Sequence, residues 1–386
     1  MTEFDAIRPY EKGEMHTALR QLLRDRHFNI MMRSLVPWLP RIVRNTIIRV
    51  AFIGVRTPQD FQIRFMKPIV RYILRKYADG ATFDHATISN RGNYTFISNH
   101  RDIVLDSAIL DLQLHQSHFP ATCEIAIGDN LLIYPWIKTL VRMNKAFIVR
   151  RSLKAKEMHE SSQLMSRYIH YAITTKKENL WIAQREGRAK DSSDNTQDSV
   201  LKMLAMGGTG TPVQSLRELN IVPLTISYQY DPCDYLKAQE YQQKRDNPAW
   251  KKSKQDDLDN MRTGIFGQKG HIHYHTGRPV NEWIDQLSHL PRTEIFKEIA
   301  RRLDREIHAG YRLYPGNYVA YDELNGTHKY ADRYTTGDKA TFDAYVANQL
   351  SKVTLQHPDL PFLRQRILTM YANPVVNLYN VHPDDK

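Results

Sequence analysis

The sequence predicts an α/β fold: a mixed, largely parallel sheet flanked by helices, with helical N- and C-terminal extensions. Three observations predict it. From Gly80 to Gly277 short apolar runs alternate with helical stretches, the pattern of strands joined through helices. Helical segments lie on both sides of that stretch. The 386 residues are 41% hydrophobic and 25% charged, which provides for a large core and excludes general disorder. This length suits one large domain with extensions, or two domains. Cys123 and Cys233 lack CxxC partners, which excludes a disulfide framework and a zinc ribbon and fits a reducing compartment.

Residues 1–80 read as a basic, mainly helical membrane-docking region. Of the net charge of +12, residues 1–78 hold +9, and between Met31 and Ala78 the only acid is Asp60. Residues 31–77 read as helix interrupted at Pro37, Pro40, Pro58 and Pro68. Trp38, Ile42, Val43, Ile47, Val50 and Ile53 interleave there with Arg41, Arg44 and Arg49, as in a helix lying in a membrane interface. The competing reading is a helix on the core with arginines in water. Such one-sided charge favours an anionic membrane surface as partner. No secretory signal is visible, and residues 35–55 are cut by arginines short of the roughly 20 apolar residues a span requires. The expected place is the cytoplasmic face of a membrane, peripherally bound, with no transmembrane helix.

Residues 81–282 read as the α/β domain. Strand candidates are 94–98, 124–128, 145–150, 179–184, 221–228 and 271–277. Helices are expected at 105–113, 132–142, 154–174 and 199–205. Pro223 inside a strand suggests an edge or a bulge. The polar, lysine-rich stretch at 232–267 reads as a helical surface insertion. Residues 283–386 read as a mainly helical extension. Its first helix carries a stripe of Ile295, Phe296, Ile299, Leu303 and Ile307, and 340–372 looks helical again.

The sharpest chemical signal is Asn99-His100-Arg101-Asp102, with Asp106 four residues later. A histidine at a strand end, with a carboxylate at the start of the next helix, suits a general base and its orienter. Spacing leaves the orienter open between Asp106 and Asp102. Asp106 is preferred because it stands where the helix begins. No nucleophile elbow is present, which favours direct attack by a substrate hydroxyl over a covalent intermediate. A second cluster, Arg150-Arg151, closes an apolar strand, and guanidinium groups suit phosphate. A third, Arg185-Glu186-Gly187-Arg188, follows another strand, with Gly187 permitting a tight turn. Alone, the second cluster is equally consistent with a solvated basic strand end, and the third on its own favours an ordinary charged turn. His271, His273 and His275 share one strand face. Neighbours two apart converge poorly on one ion, so a polar sheet face is expected there and no metal.

Together these segments resemble the glycerophospholipid acyltransferase family, typified by lysophosphatidic acid acyltransferases, over roughly residues 85–230. Asn99-His100 matches the family's opening pair. Leu105 stands at the usual aspartate position and Asp106 one place later, as in a bacterial subset with the longer spacing. Phe147-Ile148-Val149-Arg150 looks like the block that ends in a phosphate-binding arginine. Glu186-Gly187 looks like the third block, although Arg185 replaces its proline and Arg188 comes one place early. Val222-Pro223 looks like the fourth.

The resemblance implies a glycerolipid acyltransferase-like fold and acyl transfer from acyl-CoA or acyl carrier protein to a lipid hydroxyl. His100 and Asp106 would be catalytic. Asn99, Arg150, Arg151, Glu186, Gly187 and Arg188 would bind substrate. It implies no cofactor beyond the acyl donor. A lipid-binding scaffold of the same fold and a basic nucleic-acid-binding protein are the alternatives. No nucleic-acid motif is present, and the basic segment is studded with Ile, Val and Trp.

Overall fold

The computed structural model describes residues 2–35, 37–151 and 153–381. Seven strands form one sheet: β1 Gly80–Asp84, β2 Thr95–Ser98, β3 Cys123–Gly128, β4 Ala146–Val149, β5 Asn179–Ala183, β6 Ile221–Tyr228 and β7 His271–Thr276. Their order is β1-β7-β6-β2-β5-β3-β4. From β6 to β4 all neighbours are parallel, β7 runs antiparallel to β6, and β1 lies parallel to β7. The sheet is therefore mixed and largely parallel.

Six strands fall on the apolar runs of the sequence. β1, GATFD, has no such run because it is an edge strand whose burial merely alternates. Pro223 does not mark an edge. It lies in β6, between β2 and β7, and is tolerated because the β7 ladder begins only at Leu224↔Thr276. Its carbonyl accepts the Gly277 N–H at 2.8 Å. Its missing N–H thus falls where that pairing has ended.

Helices cover both faces. On one, Ala155–Thr174, Asp198–Leu204, Pro212–Glu218 and Arg292–Ala309 close a core with Tyr168, Ile169, Leu201, Leu216 and Ile299. The stripe of Arg292–Ala309 is entirely buried there. On the other, Lys67–Tyr77 and Leu105–Gln116 pack Val70, Ile73, Ile109 and Leu110 against Phe96, Val222 and Tyr274. In Leu105–Gln116 every residue from Leu105 to Leu114 is buried, which fixes that helix relative to the sheet.

The N-terminal helices Met15–Arg24, Arg26–Leu35 and Arg41–Ala51 share a separate small core of Leu19, Leu22, Phe28, Ile48 and Phe52, closed by Met143. Pro40 and Pro58 stand at helix starts, and Pro68 sits in the first turn of Lys67–Tyr77, right after a π-helical turn at Phe61–Met66. Among the described residues no helix is long and apolar enough to cross a membrane.

The 232–267 segment is helical, as Asp234–Asp246 and Lys254–Phe266, but it is not a surface appendage. Ala238 belongs to the core of the C-terminal helices Pro315–Asn325, Thr336–Leu350 and Leu360–Val381. Lys237 is fully buried and paired with Asp231. Composition reads this segment as polar surface, yet Gln239 and Gln242 are buried and bond the backbone of Thr354 and His357, each 115 residues away.

Candidate active site

β2 delivers the site. Its last residue, Ser98, is followed by Asn99, which is fully buried. The Asn99 amide receives the Ile226 N–H at 2.8 Å and donates to the Ile226 carbonyl at 3.0 Å and to Asp194 Oδ2 at 3.2 Å. It ties the end of β2 to β6, so that His100 emerges from a rigid strand end. The His100 ring lies edge-on to Trp181 of β5, with centroids 5.3 Å apart. Trp181 is itself fixed by its Nε1–H bond to Ser98 Oγ at 3.0 Å.

The carboxylate that reaches His100 is Asp106, with Oδ2 2.8 Å from Nδ1. The same oxygen accepts the N–H groups of Arg101 at 2.7 Å and Asp102 at 3.0 Å. Three donors converge on one oxygen of a carboxylate that is wholly buried. An ionised carboxylate only accepts, so this geometry assigns the proton to Nδ1 and leaves the Nε2 lone pair free. Nε2 has no hydrogen-bond partner among the described residues.

Asp102 has a different task. Its Oδ1 accepts the N–H groups of Val104 at 2.9 Å and Leu105 at 2.7 Å, closing the turn that starts the helix. Burial, and then the nearby Asp106 charge, push its pKa up. Gly264 lies directly on it: any Cβ there would collide with Asp102 Oδ2. The helix Lys254–Phe266 can approach only because that residue is glycine.

Sequence reasoning did not single out Arg101. Its guanidinium is buried and donates to Asp194 Oδ2 at 2.6 Å and Ser192 Oγ at 2.5 Å. Tyr311 donates to the same Asp194 oxygen at 2.6 Å. Burial alone would lower the Arg101 pKa, but the Asp194 carboxylate outweighs it and holds it raised. The one available signal was its place between His100 and Asp102. Asp194 lies in a polar loop that gives none.

The rim is built from the loops after β4 and β5. Arg150 is exposed. The Arg151 backbone N–H is held by Asp129 at 3.2 Å, and its guanidinium stands 3.5 Å from Glu186. Gly187 has φ +70° with open space around its Cβ position, so its turn needs glycine for backbone conformation and not for room. These residues lie at the carboxyl edge of the parallel strands, the same edge as His100, where ligands bind in such sheets.

Arg188 is not on that rim. It turns inward, donates to Asn260 Oδ1 at 2.8 Å and leaves Nη1 buried without a partner. Burial would lower its pKa, but the acidic groups around it, Cys233, Asp231 and Asp102, raise it.

The three β7 histidines do share one face, with each ring engaged locally. His273 meets Thr82 Oγ1 at 2.8 Å, His275 meets Asp84 at 3.0 Å, and His271 stacks on Tyr314.

Residues 82–227 match the model of the acyltransferase family, described as Acyltransferase. The match contains His100, Asp106, Arg101, Arg151 and Glu186 together. Among solved structures, the chain is similar to the 1-acyl-sn-glycerophosphate (LPA) acyltransferase PlsC from Thermotoga maritima. Identity is 13%, with 77% of this chain and 99% of that chain covered and a TM-score of 0.38. No curated protein matches the chain.

Proposed function

We propose, from the match of residues 82–227 to the acyltransferase family model, that the chain moves a fatty acyl group from a thioester donor to a lipid hydroxyl. The donor in this reading is acyl-CoA or acyl carrier protein. The acceptor is a lysophospholipid or a glycerol phosphate. The observation that carries it is the 2.8 Å contact of Asp106 with His100 Nδ1, which leaves Nε2 free at the sheet edge.

In this reading the acceptor hydroxyl approaches Nε2 and loses its proton to it as its oxygen attacks the thioester carbonyl. The new C–O bond forms, the C–S bond breaks, and the imidazolium returns the proton to the leaving thiolate. Asp106 stabilises the imidazolium, and the Arg101 and Asp102 N–H groups hold Asp106 in place. Arg150 and Arg151 are assigned to the acceptor phosphate, with Glu186 and Gly187 shaping the same rim. Asn99 and Arg188 support the site from within. No cofactor is required beyond the acyl donor. A lipid acceptor calls for a site at a membrane surface. Exposed Trp38, Ile42, Ile47, Val50 and Ile53, in a segment almost free of acids, support peripheral docking on the cytoplasmic face.

The test is acyl transfer from radiolabelled acyl-CoA, and separately from acyl carrier protein, to lysophosphatidic acid in liposomes. His100→Ala is expected to reduce turnover by about 10²–10⁴-fold, the usual contribution of a general base. Asp106→Asn is expected to lose much of the same factor with liposome binding intact. No transfer by the wild type over a panel of donors and acceptors defeats the reading and leaves a lipid-binding scaffold.

A further inference from the structure

A second feature lies outside the chemistry of His100. Five guanidinium groups, Arg24, Arg26, Arg33, Arg41 and Arg44, line one groove between the N-terminal helices. Among the described residues none of the five is paired with a carboxylate. Elsewhere in the chain many arginines, such as Arg8, Arg151, Arg217 and Arg364, have acidic partners. Like charges gathered without a counterion repel one another, and an anion relieves that repulsion.

Arg44 points to a ligand independently. It is 95% buried, at 5% exposure. Its Nη1 donates to the Leu39 carbonyl at 3.1 Å and its Nη2 to the Asn29 carbonyl at 3.5 Å. Its Nε is buried without a partner, as is the Asn29 Oδ1 in the same groove. A buried cation held only by neutral carbonyls is costly. The helix Arg41–Ala51 also begins in the groove. Its N-cap is Pro40, with no side-chain cap, so its first N–H groups and its positive dipole end are open to an anion.

We propose that this groove is a seat for the phosphate of an anionic phospholipid headgroup, separate from the acceptor site. The lipid source is argued from the walls. Ile30 lines the groove at 56% exposure, and the loop that forms another wall carries Trp38 at 76% exposure. An acyl chain finds apolar surface immediately beside the phosphate donors, which a free phosphate would not need. The groove also adjoins the site's side of the sheet. His27 stacks on Tyr134 at 4.8 Å, in the loop after β3 whose Asp129 holds Arg151. A headgroup seated here would fix the chain's position on the bilayer rather than merely attract it. The inference rests on the membrane-facing reading above but not on the catalytic one.

The test measures binding in a His100→Ala background, so that it reads out whether or not transfer occurs. The probes are dihexanoyl phosphatidic acid below its micelle concentration, dihexanoyl phosphatidylcholine, inorganic phosphate and coenzyme A. Arg26→Gln/Arg33→Gln/Arg41→Gln is compared with Arg20→Gln/Arg49→Gln/Arg56→Gln, which removes equal charge outside the groove. The groove triple is expected to weaken phosphatidic acid binding at least about 10-fold, and the control triple by less than about 3-fold. Equal loss in both triples means a diffuse field and overturns the proposal. So does equal binding of inorganic phosphate, or a loss confined to coenzyme A. Should the groove triple fail to fold, phenylglyoxal labelling of the unmutated arginines decides: phosphatidic acid must protect Arg33 and Arg41 but not Arg49.

Discussion

In and just after the N-terminal helices Ile42, Ile47, Val50 and Ile53 stand between 53% and 80% exposed, and arginines line a groove with no acid among its lining residues. In the C-terminal helices Phe342, Val346, Leu363 and Ile367 are buried, and Asp234 is locked between Tyr345 and Tyr371 at 2.7 and 2.9 Å. Both regions are helical, and both carry apolar stripes. They differ in whether the stripe has a protein partner. At 100° per residue, Ile42, Val50, Val43 and Ile47 fall in one arc of the helix Arg41–Ala51, opposite buried Arg44 and Ile48. One face is used by the fold and the other is left over. The difference shows that apolar content alone does not reveal a docking surface. In the docking reading proposed above, the scarcity of acids in residues 31–78 is what sets the exposed stripe apart.

The largest effect expected from this contrast is on vesicle binding. Ile42→Glu with Ile53→Glu removes two exposed apolar groups and adds repulsion from an anionic surface. Binding to phosphatidic-acid-containing vesicles is expected to fall by about 100-fold, with transfer to detergent-dispersed acceptor retained. The matched pair Leu360→Glu with Val376→Glu, on the exposed side of the C-terminal helices, is expected to change binding by less than about 3-fold. Flotation assays on both pairs check it. Equal losses would erase the distinction between the two regions.

A smaller effect concerns the C-terminal lock. Burial, and next the Asp231 charge, push Asp234 up to about 7, against the opposing hydrogen bonds from Tyr345, Tyr371 and Gln349. The folded chain therefore keeps a proton up to about pH 7 that the unfolded chain releases near 3.8. Across that window the folded state binds more protons, so Asp234 makes stability fall as pH rises. Asp234→Asn removes this dependence. In urea unfolding the variant is expected to gain on the wild type from about pH 4 to about pH 7 and to hold that gain unchanged above it. Parallel pH profiles would show that the lock is not titrating.

Much of this was legible in the sequence, for physical reasons that also explain the gaps. Five strands were visible because buried strands of a parallel sheet need continuous apolar runs, and β7 because its side chains alternate between a buried and a more exposed face. β1 was not, because an edge strand such as GATFD only half-buries alternate side chains. His100 and Asp106 were readable because a strand end and a helix start put them six residues apart. The inward turn of Arg188 toward Asn260, 72 residues away, is not legible, because nothing local distinguishes such an arginine from its neighbours. The pairing of Arg101 with Asp194, 93 residues apart, was hidden for the same reason. Local chemistry reads from local sequence, whereas long-range polar pairing does not.

The smallest effect tests where the C-terminal side meets the site. Asp102 Oδ1 closes the turn before Leu105, and Gly264 of the 232–267 segment rests on the same carboxylate. If Asp102 serves the turn and not the imidazole, its loss costs stability more than catalysis. Asp102→Ala leaves two N–H groups short of an acceptor and is expected to destabilise the chain by about 1–3 kcal/mol. Asp102→Asn keeps an acceptor oxygen and is expected to cost less. Because Asp106 still holds Nδ1, turnover of both folded variants, extrapolated to saturating substrate, is expected to stay within about 10-fold of the wild type, far above Asp106→Asn. Urea unfolding and transfer rates measured on the same preparations separate the two roles. A turnover of Asp102→Asn as low as that of Asp106→Asn would move the orienting role to Asp102 and show that the C-terminal side reaches the chemistry through Gly264.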